Sequence, residues 1–375
     1  MTRERSPLTY IISGTPTLSI YGITIPVSFT FSEQDRSFRQ PFNQFGLSPT
    51  WKWITLHGGY RNLSFSPYTL AGHTLLGGGI ELKPGKFQLA VMTGRLNRAT
   101  TIDTTTGAVQ PYSFSRHGTA VKIGYGTESS FINLSVLSAR DSDKNFKGVV
   151  DSSAVRPAAN TVLGTDFKVS LKGGLFLFAD AGLSIYTNDI HSGISIDSSV
   201  KIVESLGKLM KLNATSEYFL AYSGGLGYKN KNFGITGTYK YVDPGFLSMG
   251  AYFFQNDLRN ITLSPSFNAL KGRLRFNGSV GVQEDNQKKR KQASTRRIIS
   301  MANLTWDFTD QFGVDANYSN FSTNSEPTVA LIENRYLLAQ TNSNLSVSPR
   351  LVLAGQKTTQ VVLLSFNQSN LKRPE

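Results

Sequence analysis

The chain contains no cysteine. That absence removes disulfides, thiolate nucleophiles and Cys-ligated zinc together, and it suits an envelope protein held by backbone ladders. There is also no run of about eighteen apolar residues, so a helical membrane span is excluded. Phosphate-binding Gly-rich fingerprints, nucleophile elbows and paired carboxylates in a helical site are missing too, so neither a cofactor nor an enzymatic activity is expected. Acidic residues are the scarcer charge, 25 against 39 Lys and Arg, which leaves a net charge of +14. The basic residues are scattered, and no recognition helix or aromatic RNA-binding motif accompanies them, which argues against a nucleic-acid partner.

What is present is rhythm. From Ser64 to Ala99, Leu76, Gly78, Ile80 and Leu82 face one way and Gly77, Gly79 and Glu81 the other. After Lys83-Pro84-Gly85, Phe87, Leu89 and Val91 alternate with Gln88, Ala90 and Met92. The period of two recurs along nearly the whole chain, with one apolar and one polar or small face, as in a barrel with a greasy outside and a wet lumen. A mean hydropathy of -0.20 is compatible with this, because in such a barrel only every second strand residue meets lipid.

The fold class expected is therefore all-β: an antiparallel transmembrane β-barrel of about 16–18 strands, or most of one, in a single domain over residues 1–375. Leu8–Tyr21 and Ile23–Ser32 are the first strands, and a long polar connection is expected over Glu33–Thr50. Short turns near Gly126, Lys172, Asn230, Lys271 and Asp310 alternate with long polar connections, the topology of outer-membrane barrels with long loops outside the cell. Aromatics beside the short turns, including Phe87, Tyr125, Phe233, Trp306 and Phe312, suit a headgroup-level girdle. Val200, Ile202, Val203, Leu206, Leu209 and Met210 recur at helical spacing, which predicts a short amphipathic helix over 197–213 in an extracellular loop.

Charged residues alternating with lipid-facing ones belong to the lumen. The candidates are Arg61, Lys122, Asp166, Lys168, Asp180, Arg273, Arg275 and Asp315, whose excess of cations predicts a mild anion preference. The densest charge, Lys288, Lys289, Arg290 and Lys291, is a candidate clamp for lipopolysaccharide phosphates. His57, His73, His117 and His191 lie far apart and are expected in the lumen or loops, not on a metal. Asp141-Ser142-Asp143 opens like a calcium loop, but Phe146 occupies the position that needs Gly.

Three stretches, Arg36–Thr50, Ser64–Ala99 and Val242–Asp257, together resemble large outer-membrane β-barrel proteins of the Bacteroidota that have no assigned biochemical role. The resemblance spans about Thr9 to Asn370 and implies a location in the bacterial outer membrane and a fold, but no catalytic residues. Members of that group are longer at both ends and carry an export signal. Met1–Pro7 has no apolar core and Leu371–Glu375 does not end on an aromatic, so truncation at one or both ends is expected. The function expected is a passive porin-like channel or surface scaffold touching outer-membrane lipid. The alternatives are an interaction protein whose loops and 197–213 helix dock a surface or secreted partner, and a soluble β-propeller with a blade period near forty residues.

Overall fold

The computed structural model describes residues 10–32, 43–100, 113–144, 156–194, 211–252, 255–327, 338–355 and 358–372. The protein is all-β, of the antiparallel barrel type, with 21 strand segments in one sheet. In chain order they are β1 Ile11–Gly14, β2 Thr17–Ile20, β3 Ile23–Ser32, β4 Gln44–Leu47, β5 Thr50–Trp51, β6 Ile54–Ser64 and β7 Ala71–Leu82. Then come β8 Phe87–Asn97, β9 Ser115–Gly126, β10 Phe131–Ser142, β11 Ala159–Ser170, β12 Leu175–Thr187, β13 Ser216–Lys229 and β14 Phe233–Val242. The last are β15 Leu258–Ala269, β16 Leu274–Asp285, β17 Ala293–Asp307, β18 Phe312–Pro327, β19 Leu338–Ala354, β20 Thr359–Leu363 and β21 Phe366–Lys372.

Three of these segments continue another. β1 and β2 both pair with β3, β4 and β5 both lie between β3 and β6, and β20 and β21 both pair with β19. Proline causes each interruption, because it has no N–H to donate to the ladder. Pro16 and Pro49 stand at the first two breaks, and Pro349 lies opposite the third, accepting from Leu364 N at 3.2 Å. Joining the segments leaves 18 strands among the described residues, within the expected range. The expected single strand over Leu8–Tyr21 is thus split, and the connection drawn as Glu33–Thr50 contains β4. The 197–213 helix falls largely outside the described residues, and Lys211–Asn213, which are described, are not helical.

The ladder runs without a break from β13 through β14, β15, β16, β17 and β18 to β19. A propeller blade stops at four strands, so this continuity overturns the propeller alternative.

By packing the chain divides into two units: Met1–Phe167 with Asp180–Leu220 and Leu247–Phe254, and Lys168–Ala179 with Ala221–Phe246 and Gln255–Glu375. The first contains the buried cluster of Phe65, Leu70, Leu75, Met92, Leu96, Leu137, Val162 and Met249. Along β10, Asn133, Ser135, Leu137, Ala139 and Asp141 are buried while Ile132, Leu134 and Val136 are exposed at 55%, 60% and 37%. This inverts a soluble sheet, in which the apolar face is the covered one.

A row of small residues crosses that buried face. Gly46 pairs with Gly59, Gly59 with Gly77, Gly77 with Gly94, Gly94 with Gly118, and Gly118 with Ala139. Neighbouring backbones press together here: a Cβ on Gly94 would lie 2.5 Å from the Leu76 carbonyl oxygen and 2.7 Å from Gly77 Cα. Glycine is required because an added Cβ would collide with the neighbouring strand. Gly94→Ala is expected to lower the unfolding free energy by about 1–3 kcal/mol through overpacking. Gly58→Ala, with nothing within 4 Å of the new methyl, is expected to stay within about 0.5 kcal/mol of wild type. Urea midpoints of the detergent-folded protein measure both, and equal midpoints would show that the row carries no constraint.

Candidate functional site

In the first unit two connections turn onto the polar face instead of away from it. Residues 65–70 join β6 to β7; Ser66, Tyr68, Thr69 and Leu70 are each at most 3% exposed. A buried connection must find partners for its backbone and hydroxyl groups. These come from four strands: Lys122 Nζ donates to the Phe65 carbonyl at 3.1 Å, Ser66 Oγ to Asp180 at 2.9 Å, Thr69 Oγ1 lies 3.2 Å from Ser135 Oγ, and the Thr69 methyl fills the space left by Gly164. Residues 247–252 cover the first connection. Ser248 Oγ donates to the Thr69 carbonyl, Ala71 N to the Gly250 carbonyl at 2.9 Å, and Met249 N to Asn160 Oδ1 at 2.9 Å. Tyr252 receives the Thr74 amide at 2.9 Å and stacks on His73 at 4.1 Å.

Four of the expected lining charges belong to this unit. Lys122 and Asp180 hold the 65–70 connection, Asp166 accepts from Asn133 Nδ2 at 2.8 Å, and Arg61 donates to Ser28 Oγ at 3.1 Å. Ser and Thr of the kind found at Ser66, Thr69 and Ser248 are equally common in solvent-facing loops, and nothing local in the sequence marks these segments as buried.

The other four belong to the second unit, and three of them form ion pairs near the short turns. Arg273 pairs with Asp310 at 2.7 Å and Arg275 with Asp307 at 3.5 Å. Asp307 also pairs with Arg350, which lies 3.7 Å from Asp315, and Asp315 accepts from Thr305 Oγ1 at 2.8 Å. Lys168 stands apart, its Nζ 5.6 Å from the centre of the Phe176 ring. Asp307 and Arg350 escaped the sequence pattern because their roles depend on a register that brings strands 43 residues apart into contact.

The basic turn after β16 is half neutralised. Lys288 pairs with Asp243 at 2.8 Å, and Lys291 pairs with Asp257 and, at 3.3 Å, with Asp285. Burial disfavours the charged Lys291 ammonium, but the two carboxylates outweigh it and hold its pKa above the usual lysine value. Asp243 and Asp257 are buried, and the Asp257 amide donates to the Asp243 carbonyl at 3.3 Å, so these lysines staple the base of the 243–257 connection.

One further cluster has the residue types of nucleophilic catalysis. Ser48 Oγ lies 2.8 Å from His57 Nδ1, and His57 Nε2 lies 3.2 Å from Glu81, which also pairs with Lys83 at 2.7 Å. Ser48 is only 3% exposed, so its hydroxyl is not presented to a substrate. The chain of bonds instead closes the strand interruption at Ser48-Pro49.

Asp189, just beyond β12, is buried, accepts the His191 amide at 2.9 Å and pairs with Arg156 at 2.5 Å. These interactions favour its charged form and lower its pKa. A depressed folded pKa adds stability that is present above the ordinary Asp range, about 4, and is lost as pH falls through the lower folded value. Melting temperatures of wild type and Asp189→Asn are therefore expected to converge below about pH 4 and to separate above it, with wild type the more stable. A constant difference across that range would remove Asp189 from the acid response.

No family model matches the sequence, and no curated protein matches it. Among solved structures the chain is similar to Pseudomonas aeruginosa OpdQ, at 10% identity and a TM-score of 0.48, covering 96% of this chain and 89% of that one. It is also similar to Pseudomonas aeruginosa OccK10 (OpdN), at 10% identity and a TM-score of 0.46 over 96% and 92% of the two chains. A third likeness is to Acinetobacter baumannii OccAB2, at 9% identity and a TM-score of 0.43 over 96% and 91%.

Proposed function

We propose that this protein is a passive channel in a bacterial outer membrane. One observation carries the proposal: in the second unit both faces of the sheet are open, and they differ in chemistry. On one face Ile261, Leu263 and Val280 are exposed at 56%, 45% and 47%. Their neighbours in sequence, Asn260, Thr262, Ser264 and Ser279, lie on the other face, which is also only partly covered. Soluble proteins rarely leave so continuous an apolar surface in water. Lipid on the apolar side and water on the polar side satisfy both faces at once.

The aromatics fit the same assignment. Trp306, Phe308 and Phe312 pack in a chain of 4.1 and 5.6 Å beside the β17–β18 turn, each around 40% exposed, and Phe87 pairs across the ladder with Tyr125. Such rings favour the headgroup level. In the first unit the connections 65–70 and 247–252 narrow the interior, and the cations on the polar faces favour anions. The relationship to Bacteroidota barrel proteins and the absence of a catalytic role belong to this same proposal. Purified protein in a planar bilayer is expected to give stepwise conductance with a reversal potential on the anion side. Absence of conductance, or cation selectivity, would overturn it.

Of the basic turn, Lys289 and Arg290 are the residues whose side chains remain for lipid phosphate, since Lys288 and Lys291 are engaged with Asp243, Asp257 and Asp285. Replacing both by Gln is expected to abolish the rise in melting temperature that added lipopolysaccharide gives the wild type. An undiminished rise would exclude them as the contact.

A further inference from the structure

A cavity of about 640 Å³ opens on the polar face of the second unit, at the level of the short turns, and its floor is aromatic. Phe176 and Phe178 both belong to that face and stack with ring centres 6.2 Å apart and planes 25° apart. Across the sheet stand Gly227 and Gly225. A Cβ on Gly227 would come within 2.1 Å of the Phe176 ring, and one on Gly225 within 2.9 Å of the Phe178 ring. The alternate glycines thus let both rings press against the backbone of β13, and Phe176 leaves a ring surface facing the cavity.

Around that surface stand Lys168, whose ammonium lies 5.6 Å from the Phe176 ring centre, and Lys229, together with Thr236, Ser266 and Asn277. No carboxylate is among the lining residues. The volume falls in the range of small-molecule sites, about 300–1,000 Å³. Its chemistry has three parts: a flat apolar surface, neutral hydrogen-bonding groups around it, and two cations, of which Lys168 reaches over the Phe176 ring.

We propose that this cavity is a binding subsite for an acidic sugar, with a pyranose ring laid against Phe176, its hydroxyls on Thr236, Ser266 and Asn277, and its anionic group at Lys168 and Lys229. A pyranose has an apolar C–H face and several hydroxyls, so it uses all three features. A planar aromatic acid would leave the hydroxyl and amide groups with water alone, and a neutral sugar would leave the cations unused. Access to the subsite rests on the channel proposal, but binding does not.

Calorimetric titration of the detergent-folded full chain with digalacturonate tests binding without relying on conductance. Binding is expected, at least tenfold tighter than that of maltose or benzoate. Phe176→Ala is expected to weaken it at least tenfold, and Lys168→Gln to remove the preference over maltose. Should Phe176→Ala fail to fold, Phe176→Leu keeps the bulk without the ring and is expected to show the same loss. Equal binding of benzoate, or digalacturonate binding unaffected by Phe176→Leu, would overturn the subsite, as would no binding. In a planar bilayer digalacturonate should produce transient closures that Phe176→Leu abolishes. Conductance with no closures argues against the subsite alone, whereas binding with no conductance argues against the channel alone.

Discussion

Backbone N–H and C=O groups in a strand have to be paired by neighbouring strands, and that pairing forces successive side chains onto opposite faces. Everything distinctive about this protein follows from how it uses the two faces. In the first unit, β10 buries Asn133, Ser135 and Asp141 and exposes Ile132, Leu134 and Val136. In the second, neither face is sealed, and the Leu263–Val280 pair lies opposite the Ser and Thr side chains beside it. Water cannot be the preferred neighbour of both faces. The proposed channel would satisfy both, with lipid against the apolar face and water against the polar one.

The first unit departs from that scheme because two connections fill its polar side. Burying 65–70 and 247–252 places Phe65, Leu70 and Met249 among Leu75, Met92, Leu96 and Leu137. Each large side chain so buried contributes about 1.5–3 kcal/mol. The cost of taking these segments out of water is offset by hydrogen bonds with Lys122, Asp180, Asn160 and Ser184. The glycine row from Gly46 to Gly118 lets neighbouring strands pack closely, since a Cβ at any of these positions would collide with a neighbour. Charge near the turns is handled differently. Arg273, Arg275 and Arg350 meet Asp310, Asp307 and Asp315, so these charges cancel one another and the net cationic excess is carried by other residues.

The strands were legible where one face is uniformly apolar. Phe233, Ile235 and Tyr239 on β14 and Leu274, Phe276 and Val280 on β16 alternate cleanly, and the ladders place them as their spacing implies. Legibility failed where proline interrupts a ladder, at Pro16 and Pro49, because each short piece is too brief to carry a period of its own. It failed again at Phe176 and Phe178. Their neighbours Leu175 and Leu177 also face out, so a run of five apolar residues hides the fact that two rings point the other way.

Side-chain period and turn chemistry act over a few residues, and so the sequence by itself determined the strand class, the approximate number of strands and the alternation of apolar and polar faces. Pairings across long separations were decided only by the tertiary structure: Asp243 and Asp257 with Lys288 and Lys291, Thr69 with Ser248, Phe176 with Gly227. Each needs a register and a loop path that no local pattern encodes. A loop rich in Ser, Thr and Gly reads the same whether it meets water or folds onto a wall, because its polar groups are satisfied equally well by either.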